Sequence, residues 1–149
     1  MLYSPLIRKA IHIMFQAHKE DLDKGGYPYV FHPFYLASQM PDEDSTIVAL
    51  LHDVVEDHGD VWSFEKLAGE GFNENIIEAV RLMTHDTEVP YLDYVRKLST
   101  NPIARRVKFA DFKHNMDKTR TDGQVAKKQE LYEQALDILK EADGAKMYE

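Results

Sequence analysis

The stretch IVALLHDVVED at 47–57 constrains this chain more than any other. Apolar residues run through it, yet His52, Asp53, Glu56 and Asp57 sit among them. Charged side chains are rarely buried alone, because leaving water is costly unless pairing, hydrogen bonding or a metal compensates. The spacing predicts one central helix, with His52 a turn from Glu56 and Asp53 a turn from Asp57. Ala49, His52, Asp53 and Glu56 then form a polar strip, while Ile47, Leu51, Val54 and Val55 pack elsewhere. Three carboxylates on such a strip repel one another in a low dielectric. A bound cation is the simplest relief, and His52 with Asp53 are suitable ligands. The other reading is an ordinary helix with a solvated acidic face; the apolar residues flanking the strip argue against it.

Nearly every other segment carries the helical period, so the expected fold class is all-α. Ser4-Pro5 reads as the cap and first turn of a helix with Ile7, Ala10, Ile11, Met14 and Ala17 inward and His18 beside them. Lys24-Gly25-Gly26-Tyr27-Pro28 is a turn. Pro33 is expected to open a short helix ending near Met40, which leaves His32 at its mouth. Ser63, Asn73, Pro90 and Asn101-Pro102 signal further helix starts. A last helix is expected over 125–142, with Leu131, Ala135, Ile138, Leu139 and Ala142 as its stripe and a frayed tail after it. In the Asn101-Pro102 helix, Asp111 lies one turn past Val107 and points inward, where a carboxylate needs a metal, an arginine or backbone donors. On spacing alone, His32 reads more readily as a cap or packed core residue than as a ligand. Asp111 divides evenly between structural ion pair and ligand.

Composition narrows the function. The 149 residues, 44% hydrophobic and 30% charged, suit one folded domain over 1–149. No apolar run reaches the roughly 18 residues of a membrane span, and the N-terminus lacks a signal-peptide pattern, so a cytoplasmic location is expected. The absence of cysteine removes disulfides, thiolate metal sites and a cysteine nucleophile. A net charge of −8 argues against a nucleic-acid surface. It leaves room for a small phosphorylated ligand, since a metal and a few local bases override the global charge.

Four stretches then occur in order: AH at 17–18, PYVFHP at 28–33, LLHDVVED at 50–57 and VKFADFKHN at 107–115. Together they resemble the HD-domain phosphohydrolases, most closely the hydrolase domain of the Rel/Spo alarmone enzymes and their small stand-alone relatives. The resemblance covers about residues 18–120. It implies an HD-domain helical bundle in which His32, His52, Asp53 and Asp111 bind one divalent metal, usually manganese. It implies that Glu56 and Asp57 handle the attacking water and proton transfer, and that Asn115 positions the nucleotide and its diphosphate. Lys24, Lys108, Lys113 and Arg120 are the bases available to the substrate. Lys108 ranks first, being less than a turn from Asp111.

The activity so implied is manganese-dependent hydrolysis of ppGpp or pppGpp to GDP or GTP and pyrophosphate. The partner is then a small phosphorylated nucleotide. A synthetase domain is not expected in a chain of this length. Two departures bear on base recognition. The basic pair usual before the Gly-rich turn is Asp23-Lys24, and the arginine usual after the last ligand is Phe112. They keep open a phosphohydrolase for another nucleotide or metabolite, and a catalytically weak nucleotide-binding module. The Glu56-Asp57 pair speaks against the last, because binding alone needs no general base.

Overall fold

The computed structural model describes residues 1–121 and 128–144. These form nine α-helices and a 3-10 turn, with a lone antiparallel bridge between Leu22 and Pro28. No helix among the described residues is long and apolar enough to cross a membrane.

Helix α3 (Glu43–Leu51) is the axis: every residue from Ser45 to Leu51 is buried. A helix apolar on all sides must be enclosed. α1 (Pro5–His18), α2 (Phe31–Ser38), α6 (Glu74–Met83) and α8 (Pro102–Asn115) enclose it. α4 (Val54–His58) lies against α1, and α5 (Phe64–Gly69) against α6. α7 (Tyr91–Leu98) packs on α6 and α9 (Gln129–Asp143) on α8, with α7 and α9 also in contact. Side chains of Ser4, Asp42, Ser63, Asn73 and Asn101 accept first-turn N–H groups of α1, α3, α5, α6 and α8. Each such cap contributes about 1 kcal/mol. The all-α bundle expected from the sequence is the fold observed among the described residues.

Several boundaries differ from expectation. The 47–57 stretch is not one helix: α3 stops at Leu51, His52 and Asp53 form a turn, and α4 starts at Val54. Asp53 has left the helical region, at φ −108 and ψ 1. The polar strip is therefore replaced by a turn that aims His52 and Asp53 together. α2 begins at Phe31, before Pro33, and the His32 N–H bonds the Tyr29 carbonyl at 3.0 Å. Pro33 sits in the first turn, where its missing N–H is not needed.

On α1 the buried face is Ile7, Ala10, Ile13, Met14 and His18, with Ile11 and Ala17 half-buried. α9 buries Ala135, Leu136 and Leu139; Leu131 and Ile138 are half-buried and Ala142 is exposed. The expected start of that helix at 125–127, and the tail from 145, lie outside the described residues. Asp143 still belongs to the helix, and Gly144 closes it in the left-handed region at φ 65.

Candidate metal centre

Three elements converge beside the end of α3. The first turn of α2 supplies His32, the turn between α3 and α4 supplies His52 and Asp53, and α8 supplies Asp111. His32 Nε2 lies 2.8 Å from Asp111 Oδ1. His52 Nε2 lies 3.1 Å from Asp53 Oδ2 and 3.8 Å from Asp111 Oδ1. His32, His52 and Asp53 each offer a ligand atom within 4.8 Å of the others. His32, His52 and Asp111 are buried, and Asp53 is partly open.

One atom tests whether a cation suits these residues. His52 Nδ1 bonds the Ala49 carbonyl at 2.7 Å. A carbonyl only accepts, so Nδ1 carries the hydrogen. In the neutral tautomer Nε2 therefore offers its lone pair to the centre. That Nε2 is buried and has no hydrogen-bond partner, although carboxylate oxygens surround it. Two imidazole nitrogens and two carboxylate oxygens suit a divalent ion that keeps water in its remaining positions. The donor set fits.

The surrounding charges balance. Burial opposes the charge of His52, but Asp53 and then Asp111 outweigh it and raise its pKa to about 9. Burial likewise opposes ionisation of Asp53, and His52 holds it below the usual carboxylate range. Lys108 Nζ donates to Asp111 Oδ2 at 2.9 Å. Burial works against both partners, yet each keeps the other charged. Without a metal, Asp53 and Asp111 are thus offset by Lys108 and the proton on His52. A cation replacing that proton keeps the centre from accumulating negative charge.

Further groups fix the donors. The Tyr29 hydroxyl donates to Asp53 Oδ2. Asn115 Nδ2 donates to Asp111 Oδ1 at 3.1 Å. His32 Nδ1 lies 2.7 Å from His114 Nδ1, and Tyr35 stacks on the His114 ring at 4.3 Å. Sequence reasoning missed the roles of Tyr29 and His114. The available signal was spacing: each stands three residues from a candidate ligand, Tyr29 before His32 and His114 after Asp111.

Two clefts open here. One, of about 330 Å3, is lined by Asp53, Glu56, Lys108, Asp111 and Asn115, with tyrosines around them. The other, of about 520 Å3, holds Phe31, Phe34, Tyr35, His114 and Arg120. His32 borders both. Glu56 Oε1 accepts from the His85 N–H at 2.6 Å. Burial raises the Glu56 pKa; the His85 N–H opposes this, and the Asp53 charge adds to it. Asp57 rises to about 6 through burial and the charges of Asp53 and Glu56, but it is exposed and lines neither cleft.

Seven of the sequence candidates therefore meet: His32, His52, Asp53, Asp111, Glu56, Asn115 and Lys108. Lys24 and Lys113 are exposed and line neither cleft. Phe112 is a core side chain, 1% exposed, with ring centroids 6.4 Å from Tyr91 and 5.3 Å from Tyr132. Asp23 Oδ1 accepts the N–H groups of Gly25 and Tyr27, and its Oδ2 pairs with Arg120 at 3.4 Å.

No protein-family model matches the chain. Its sequence is 28% identical over 123 residues to a probable GTP pyrophosphokinase of Mycobacterium leprae (strain TN). That alignment takes in 74% of this chain but 15% of the relative's length. Its structure is similar, with a TM-score of 0.69 and 21% identity, to one reported for a metazoan ortholog of SpoT that hydrolyses ppGpp and plays a role in starvation responses. The superposition covers 95% of this chain and 87% of that one. The two likenesses agree with the resemblance drawn from the four motifs.

Proposed function

We propose that this chain is a divalent-metal-dependent phosphohydrolase of the HD type, which removes the 3′-diphosphate of ppGpp or pppGpp as pyrophosphate. The observation that carries the reading is the convergence of His32, His52, Asp53 and Asp111 around the unpartnered Nε2 of His52. The likeness to a SpoT ortholog that hydrolyses ppGpp supports the substrate, and manganese is the cation proposed from the motif resemblance. The reading takes the chain as one HD-type domain, cytoplasmic, with a nucleotide rather than nucleic acid or a membrane as its partner.

When bound, the cation would supply positive charge against the diphosphate and lower the pKa of a water. Glu56, its pKa raised at the cleft wall, accepts the proton of the attacking water. The water oxygen bonds the phosphorus next to the ribose, the bond from phosphorus to the 3′-oxygen breaks, and that oxygen takes up a proton from solvent, matching the one that Glu56 accepts and passes on. Asp57, with a pKa of about 6, exchanges protons with solvent next to Glu56 and so returns the base to its working state. The ammonium of Lys108, fixed beside Asp111, faces the diphosphate oxygens from the cleft. The rings of Phe31, Phe34 and Tyr35 offer partly open faces to the nucleobase.

A second reading, hydrolysis of another phosphorylated nucleotide, is favoured by one observation. Asp23, which lines the aromatic cleft, is already paired with Arg120. The two separate in one assay of purified protein with Mn2+. Pyrophosphate released from ppGpp supports the first; orthophosphate released from nucleoside 2′- or 3′-phosphates, with ppGpp intact, supports the second. Nucleotide binding with no turnover of any substrate would overturn both in favour of a binding module.

A further inference from the structure

A second cluster of the same donor chemistry lies outside the centre described above. His18 closes α1, Asp21 stands in the segment after it, and His58 closes α4. Asp21 Oδ2 lies 3.0 Å from His18 Nδ1 and 2.7 Å from His58 Nε2. The three residues each offer a ligand atom within 4.8 Å of the others. We propose that His18, Asp21 and His58 form a second divalent-cation site, which ties the end of α4 to the end of α1.

The geometry and the donor set both point this way. Ligands about 2.0–2.1 Å from an ion stand roughly 3 Å from one another, and the two Asp21 distances are near that spacing. His18 and Asp21 stand three residues apart, at and just past the end of α1, but His58 comes from 37 residues past Asp21, so local spacing does not explain why all three meet. His18 is 1% exposed. Burial lowers its pKa, which keeps the imidazole neutral and able to donate a lone pair. Asp21 is held below the usual carboxylate range by His58 and, after burial is offset, by His18. One carboxylate with two imidazoles favours a borderline ion such as Zn2+ or Co2+. The side chains of Asp21 and His58 are 33% and 27% exposed, so an ion can enter and keep a water ligand.

Tyr29 separates the two sites. Its ring packs on His18 at 4.9 Å, while its hydroxyl bonds Asp53. This site does not depend on the phosphohydrolase reading. The competing account is a metal-free clamp, in which both imidazoles donate to the one Asp21 oxygen and the cluster only fastens α4.

Co2+ titration of chelator-stripped full-length protein decides between them, read by bound metal per chain and by visible absorption. The wild type should take up about two equivalents. Asp21→Asn, which keeps an oxygen for both hydrogen bonds, should take up about one, and so should Asp53→Asn. His58→Gln gives the same reading should Asp21→Asn fail to fold, with circular dichroism as the check. A wild type that saturates at one equivalent would overturn the proposal. So would folded Asp21→Asn or His58→Gln protein that binds as much cobalt as the wild type.

Discussion

Glu56 and Lys108 face the same cleft, but their substitution should have opposite signatures. Glu56 hydrogen-bonds the His85 N–H rather than any of the four candidate donors among the described residues. Glu56→Gln should therefore keep its metal and its melting temperature while kcat falls by about 10²-fold or more. Metal content and Mn2+-supported turnover on one sample check this, and a normal rate would remove Glu56 from the mechanism. Lys108→Met instead removes the ammonium that pairs with the buried Asp111 carboxylate, leaving it His32 and Asn115. Breaking a buried pair on one side costs about 3–5 kcal/mol. Urea unfolding of the metal-free variant should show that loss, and saturating Mn2+ should restore part of it. His52 adds a pH dependence. Its pKa is raised from the usual imidazole value of 6.5 to about 9. The stability from that proton is complete below pH 6.5 and is lost as pH rises through 9. The melting temperature of chelated protein should fall across this window, and Mn2+ should suppress the fall.

At the level of elements, the sequence was legible wherever a capping residue precedes a clear period, as at Ser4-Pro5, Asn73 and Asn101-Pro102. It misled where the period runs on without the backbone following. Leu51 to Val54 keeps the apolar spacing, yet the chain turns at His52, whose side chain bonds the Ala49 carbonyl. His52 and Asp53 were legible as a site because charge stood in an apolar run. His32 and Asp111 were not, except through the family resemblance. Their contact joins residues 79 apart, and no local period carries it. The burial of Phe112 was hidden for the same reason, since its ring partners come from α7 and α9. Gly25 shows another such joint. A Cβ there would stand 2.1 Å from the Arg120 carbonyl oxygen, in the 3-10 turn (Lys118–Thr121) that follows α8. Backbone cannot yield as a side-chain tip does. Gly25→Ala should force the two turns apart, disturb the Asp23–Arg120 pair and loosen the aromatic cleft. Steady-state kinetics should then show KM rising more than kcat falls, with metal content unchanged.

Across the whole molecule, the helices that carry the candidate ligands are held by one core around α3, with α2 and α8 both packed on it. The candidate ligand positions run from His32 to Asp111, so they come together only when that core is assembled. An ion bound by the folded state alone stabilises it by about 2.7 kcal/mol at a hundred times its dissociation constant. The melting temperature should therefore climb with Mn2+ concentration and drop in chelator. Asp53→Asn should flatten that dependence, and calorimetry across a Mn2+ series checks both.

The Tyr29 ring, set between the two imidazole clusters, has a consequence of its own. One aromatic side chain touches a histidine of one cluster and a carboxylate of the other. Emptying either cluster would change the footing of this shared wall. An ion taken up at the proposed outer cluster would thus be felt through Tyr29 as a change in how firmly Asp53 is braced.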